Sequence, residues 1–297
     1  MKCDLCPRKC LVDRKKGEKG ICGQTENLKV ARAALHFWEE PCISGDAGSG
    51  AVFFSGCPLH CVFCQNENIA NGTVGKEISL ERLVDIFLEL QEKRANNINL
   101  VTPGHFVPQI VKALDQARKE GLTLPVVYNT SSYETVDTIK MLEGYVDIYL
   151  PDFKYMSPVL SKKYSHAPDY AEVAKAAIAE MVRQTGKAVF VNGDEDNLIL
   201  SGTIVRHLTL PGCMADSMQI LKYLHETYGD MIYISIMNQF TPLSNLEKYP
   251  ELNRRITDVE YETLVDYAID IGIENGFIQE GNTAEESFIP AFDCEGV

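Results

Sequence analysis

Phe53-Phe54-Ser55-Gly56-Cys57-Pro58-Leu59-His60-Cys61-Val62-Phe63-Cys64-Gln65-Asn66 is the stretch around which the rest of the chain is read. A short apolar run, 51–54, stops at Ser55-Gly56 and delivers three thiols within eight residues, which reads as a strand feeding a metal-binding loop. Thiolate sulfur is the soft ligand of iron-sulfur clusters. Three such ligands on a four-iron cubane leave one iron open to a small molecule, which is a catalytic arrangement. The competing readings are three free thiols, or a zinc site lacking its fourth ligand.

The spacing Cys57-x3-Cys61-x2-Cys64, with aromatic Phe63 before the last cysteine, resembles the signature of the radical S-adenosylmethionine (SAM) enzymes. The resemblance implies a [4Fe-4S] cluster on Cys57, Cys61 and Cys64. It further implies that the open iron holds SAM, and that reductive cleavage of SAM gives a 5'-deoxyadenosyl radical that abstracts a substrate hydrogen.

The chain has 297 residues, enough for one α/β barrel with appendages. Its formal charge of -14 argues against a nucleic-acid backbone as partner, although residues 1–20 carry seven Lys or Arg against three acids. No run reaches membrane-spanning length and the first residues lack a signal-like apolar region, so the sequence predicts a cytoplasmic protein with no membrane partner. Ten cysteines in that setting are metal ligands or free thiols rather than disulfides. Four of them, Cys3, Cys6, Cys10 and Cys22, fall in a charged segment with little apolar material, which predicts a knuckle ordered by zinc or by a second iron-sulfur cluster. The alternative is a disordered cysteine-containing arm. Cys42, Cys213 and Cys294 receive no role.

From residue 50 apolar strands alternate with helical periods. Strands are expected at 51–54, 99–102, 124–128, 146–150, 204–210 and 231–236, with 187–191 as a rival for the fifth, and helices at 79–90, 107–120, 132–142, 168–185 and 216–228. The expected fold is a partial (β/α)6 TIM barrel, divided into a cysteine-rich segment (1–45), the barrel (46–240) and a C-terminal extension (241–297). Active sites of such barrels gather at the C-terminal ends of strands, and polar residues do recur there: Thr102, Asn129, Asp152, Lys154, Arg206, Asn238 and Gln239.

The order of these stretches, with Glu40-Pro41-Cys42-Ile43-Ser44-Gly45, the N-terminal cysteines and the closing 288–293, is similar to that of the pyruvate formate-lyase activating enzymes and a related branch. The likeness implies SAM contacts at Thr102, Gly104, Asn129, Ser131, Asp152, Lys154 and Arg206, and Phe63 beside the adenine. The family's Gly-Gly-Glu motif stands here as Thr102-Pro103-Gly104-His105, without its acid. The implied partners are a flavodoxin or ferredoxin as electron donor and a glycyl radical enzyme as substrate. A radical enzyme acting on a small molecule or peptide is the nearest alternative, and a non-catalytic iron-sulfur or zinc redox regulator is the alternative of another class.

Overall fold

A computed structural model of the chain describes residues 2–194, 197–243, 246–279 and 290–297. In chain order the strands are β1 (Leu28–His36), β2 (Ser49–Phe54), β3 (Lys76–Ile78), β4 (Ile98–Val101), β5 (Val126–Thr130), β6 (Ile148–Pro151), β7 (Val189–Phe190), β8 (Ile199–Leu208), β9 (Tyr233–Met237) and β10 (Gly276–Ile278). The helices are α1 (Pro41–Ser44), α2 (Glu67–Ala70), α3 (Leu80–Glu92), α4 (Val107–Lys119), α5 (Val136–Lys140), α6 (Pro158–Ser165), α7 (Tyr170–Thr185), α8 (Met214–Tyr228) and α9 (Asp258–Asp270).

The sheet runs β10-β9-β8-β6-β5-β4-β2-β1-β3 and does not close on itself. β2, β4, β5, β6, β8, β9 and β10 are parallel, while β1 pairs antiparallel with both β2 and β3. The six expected barrel strands are therefore all present, in an open α/β barrel. β7 is a two-residue partner folded back antiparallel on β8, so the later stretch supplies the fifth barrel strand. β1 lies within 1–45 and β10 within 241–297, and both extend the sheet.

Strand parity places the site. Val126, Tyr128 and Tyr149 face the outer core with α3 and α4, whereas Val127, Ile148, Leu150 and Ile204 face the inner side, where Ile43 of α1 fills the floor. Side chains alternate along a strand, so Asn129, Asp152 and Arg206, each two residues beyond an inner-face position, point to the same concave side. Parallel strands covered on both faces have no solvated side, which is why these stretches read as continuous apolar runs until their polar ends.

One helix is shorter than its periodicity predicts. In 132–142 only Val136–Lys140 is α-helical, because Ser132 takes a left-handed backbone (φ 63°) and donates its hydroxyl to the Asp152 carbonyl, so Thr135 becomes the N-cap. Phe288 and Ile289, part of the closing motif, lie outside the described residues.

Candidate active site

Cys57, Cys61 and Cys64 line one cavity of about 270 Å³ at the C-terminal ends of the strands, together with Phe63, Thr102, Asn129, Ser131, Asp152, Lys154, Arg206 and Gln239. The thiol loop leaves β2 at Gly56, whose backbone is left-handed (φ 92°); a Cβ there would stand 2.5 Å from the Cys22 carbonyl oxygen. The loop folds on itself through the Cys64 amide, which donates to the Cys61 carbonyl at 3.0 Å, and the Gln65 side chain ties it to the segment after β9 by donating to the Gln239 carbonyl at 2.9 Å. Phe63 is buried, edge-on to Phe240, Tyr155 and Tyr164.

Across the cavity an ionic network joins β4, β5, the end of β6, β8 and the segment before α1. Arg206 donates from Nε to Asp152 Oδ1 (2.9 Å), from one terminal nitrogen to Glu39 Oε2 (3.0 Å) and from the other to Asn129 Oδ1 (2.7 Å). Glu39 Oε1 accepts from the side-chain amides of Asn129 and Asn99, each at 3.1 Å, and Lys154 Nζ donates to Asp152 Oδ2 at 2.6 Å. A bridge between the backbones of Asp152 and Arg206 sets the two side by side. Burial alone would raise the Asp152 carboxyl, but Arg206 and Lys154 outweigh it and hold it below its ordinary value. Burial likewise opposes the charge of Lys154, and Asp152 restores it and raises the ammonium above its usual range. Buried charges persist only when paired this way.

Gly104 stands apart from the cavity lining. Its backbone faces the Glu134 carboxylate, which would collide with any Cβ added there, while His105 donates from Nε2 to the Ser55 carbonyl at 2.7 Å. Glu39 carries no signal in the sequence: it sits beyond β1, 167 residues from the Arg206 it pairs with. Ser165, which donates its hydroxyl to Cys61 Sγ at 2.9 Å, is a further residue the motif does not announce.

The three thiols fit a cluster-sized ligand. Among the described residues no three Cys, His, Asp or Glu side chains converge on one point as the ligands of a single ion do. The three loop thiols nevertheless share one buried cavity, and burial, reinforced by Cys61, raises Cys57 to about 11 and Cys64 to about 12. A bound metal would deprotonate thiols raised in this way, since thiolate is the ligand form.

Residues 51–197 match the family model described as the radical SAM superfamily. The chain belongs to that superfamily. Membership implies the [4Fe-4S] cluster and SAM, which the cavity residues suit. An uncharacterized protein of Methanocaldococcus jannaschii is 27% identical over 275 residues, covering 90% of this chain and 74% of that protein. Among solved structures, SuiB of Streptococcus suis, determined with S-adenosylmethionine, superposes with a TM-score of 0.52 at 13% identity over 80% of this radical SAM chain and 51% of SuiB. HydG, a maturase of the [FeFe]-hydrogenase, gives 0.51 at 15% identity over 78% and 52%. The chain spans about half the length of these two proteins, and the likeness is one of fold. Among the described residues no helix is long and apolar enough to cross a membrane.

Proposed function

We propose that this radical SAM enzyme removes a hydrogen atom from a glycine of a partner protein. The observation that carries the reading is the meeting, in one cavity, of three loop thiols with the Asp152, Arg206, Asn129 and Lys154 strand ends. When bound, the cluster and SAM together supply a 5'-deoxyadenosyl radical on receipt of one electron from a flavodoxin or ferredoxin. The chain's own residues hold and orient. Cys57, Cys61 and Cys64 are the cluster ligands, and the cationic Lys154 suits the SAM carboxylate as a point charge. The Asn129 amide and the Ser131 hydroxyl are suited to sugar hydroxyls, and the buried Phe63 offers an apolar face for adenine. Glu39 supplies a buried carboxylate in a site whose Thr102-Pro103-Gly104-His105 segment has none.

The resemblance in segment order to the activating enzymes makes a protein glycine the first substrate to test. A glycyl radical enzyme encoded beside this chain, grown with α-deuterated glycine, should pass deuterium into 5'-deoxyadenosine and acquire a glycyl radical signal. Deuterium arriving only from a labelled small peptide or small molecule, with no glycyl signal, would overturn the glycine assignment.

A further inference from the structure

Of the three loop thiols, Cys61 takes its hydrogen bond from outside the loop. The backbone amides of Leu59 and His60 serve Cys57, and that of Asn66 serves Cys64, as a tight loop turning back on its own sulfurs provides. Cys61 Sγ accepts instead from the Ser165 hydroxyl, at 2.9 Å and 104 residues along the chain. A helical serine can satisfy itself on the carbonyl four residues back, but Ser165 bonds across to the thiol.

Local structure puts it there. α6 opens at Pro158, with the Ser157 hydroxyl accepting from the Leu160 amide, and stops at Ser165 because His166 takes a left-handed backbone (φ 52°). The carbonyls left over at that end are taken by other segments. The Val62 amide donates to the Tyr164 carbonyl at 2.9 Å, and the Arg8 guanidinium donates to those of Ser165 and His166 at 3.0 and 2.5 Å. Arg8, between Cys6 and Cys10, also donates from Nε to the Pro58 carbonyl at 2.8 Å, so one side chain binds both the helix end and the thiol loop. The buried Ser165 hydroxyl is thereby held on Cys61.

A second hydroxyl lies behind the first. Tyr155 Oη is 2.8 Å from Ser165 Oγ. A thiolate only accepts, so with Cys61 as a thiolate ligand the single Ser165 proton points at sulfur and Tyr155 donates to Ser165. Burial holds the Tyr155 phenol well above its ordinary range, so it keeps the proton it donates. Tyr155 itself is packed among Phe63, Tyr164 and Tyr170. Hydrogen bonds in series polarise one another, and more so away from water.

We propose that Ser165, held by Arg8 and backed by Tyr155, is a positioning residue that sets the reduction potential of the cluster on Cys57, Cys61 and Cys64. The inference rests on those three thiols being the cluster ligands and adds the residue that tunes them. The step concerned is one electron in, from the reduced flavodoxin or ferredoxin, with no bond broken and no proton moved. Hydrogen bonds to the sulfurs are among the determinants of a cluster's potential. A donor gains as its acceptor becomes more negative, so the Ser165 bond favours the reduced state and raises the potential.

The test is a redox titration of the anaerobically reconstituted full chain, without SAM or substrate, read by electron paramagnetic resonance with iron and sulfide assayed on the same samples. The signal followed is the one that Cys61→Ala lacks. Ser165→Ala should carry the parental iron content and be about tenfold harder to reduce, a midpoint about 59 mV more negative for a one-electron couple. Tyr155→Phe should shift the midpoint the same way by less, and should add nothing to Ser165→Ala, since Tyr155 acts through Ser165. A parental midpoint in a folded Ser165→Ala protein with its full cluster overturns the proposal. So does a Tyr155→Phe shift as large in the Ser165→Ala background as in the parent. Should Ser165→Ala fail to fold or to take up iron, Tyr155→Phe decides alone, and a parental midpoint there overturns the proposal. A parent without a reducible cluster overturns the ligand assignment and this inference with it, whereas failure of glycine as the substrate leaves the midpoints standing.

Discussion

All three guanidinium nitrogens of Arg206 are bonded within the site, to Asp152, Glu39 and Asn129. Its removal would strip the buried Glu39 carboxylate of the cation it pairs with and leave Asp152 to Lys154 alone. Breaking a buried ion pair in this way costs about 3–5 kcal/mol, so Arg206→Ala should lower the unfolding free energy by that amount in anaerobic urea titration. A midpoint unchanged from the parent would show that the network carries no such load. Glu134 gives a pH dependence of the opposite sense to that of a salt-bridged acid. Burial, partly offset by hydrogen bonds from Thr130 and Tyr128, raises its carboxyl to about 7. The folded chain then holds a proton that the unfolded chain, with an ordinary value of 4.5, has released. Its stabilising contribution is complete below pH 4.5 and is lost as pH rises to about 7, a loss of about 3 kcal/mol. Glu134→Gln should flatten the stability profile across that window, and a profile parallel to the parent's would contradict the assignment. At this scale the sequence disclosed the strand-end polar residues, because an interrupted apolar run is visible locally. It concealed Glu39, whose partner is a whole barrel away in the chain.

Elements were legible where a periodicity and a cap coincide. Ser79 precedes an amphipathic run and does cap α3, its hydroxyl accepting from the Arg82 amide at 3.1 Å. Ser79→Ala should cost about 1 kcal/mol in thermal or urea unfolding while leaving SAM cleavage at the parental rate. A loss of cleavage with no loss of stability would be the opposite of what a cap does. Periodicity overreached at 132–142, where the Ser132 hydroxyl prefers the Asp152 carbonyl to a helical turn. It missed β1, whose Leu-Lys-Val-Ala-Arg-Ala-Ala-Leu-His mixes alanines with two cations and fits neither period cleanly, and whose strand character comes from pairing with β2 and β3. It missed β10 because three residues, Gly276–Ile278, carry too little pattern, and their conformation is set by β9 alongside.

At the scale of the molecule, an open, mostly parallel sheet puts the loop after β2 and the ends of β4, β5, β6 and β8 around one cavity, and the N-terminal segment bonds to that loop through Arg8, which donates to the Pro58 carbonyl, and the Ile21 carbonyl, which accepts from His60. The central claim is that the three loop thiols together make this cavity a site of reductive SAM cleavage. The direct measurement is 5'-deoxyadenosine formed by the anaerobically reconstituted, reduced protein given SAM, compared with the Cys61→Ala variant. The account predicts 5'-deoxyadenosine and methionine from the parent, dependent on reductant, and none above background from the variant. Equal yields from the two proteins, or no product from a parent carrying its full cluster, would contradict it.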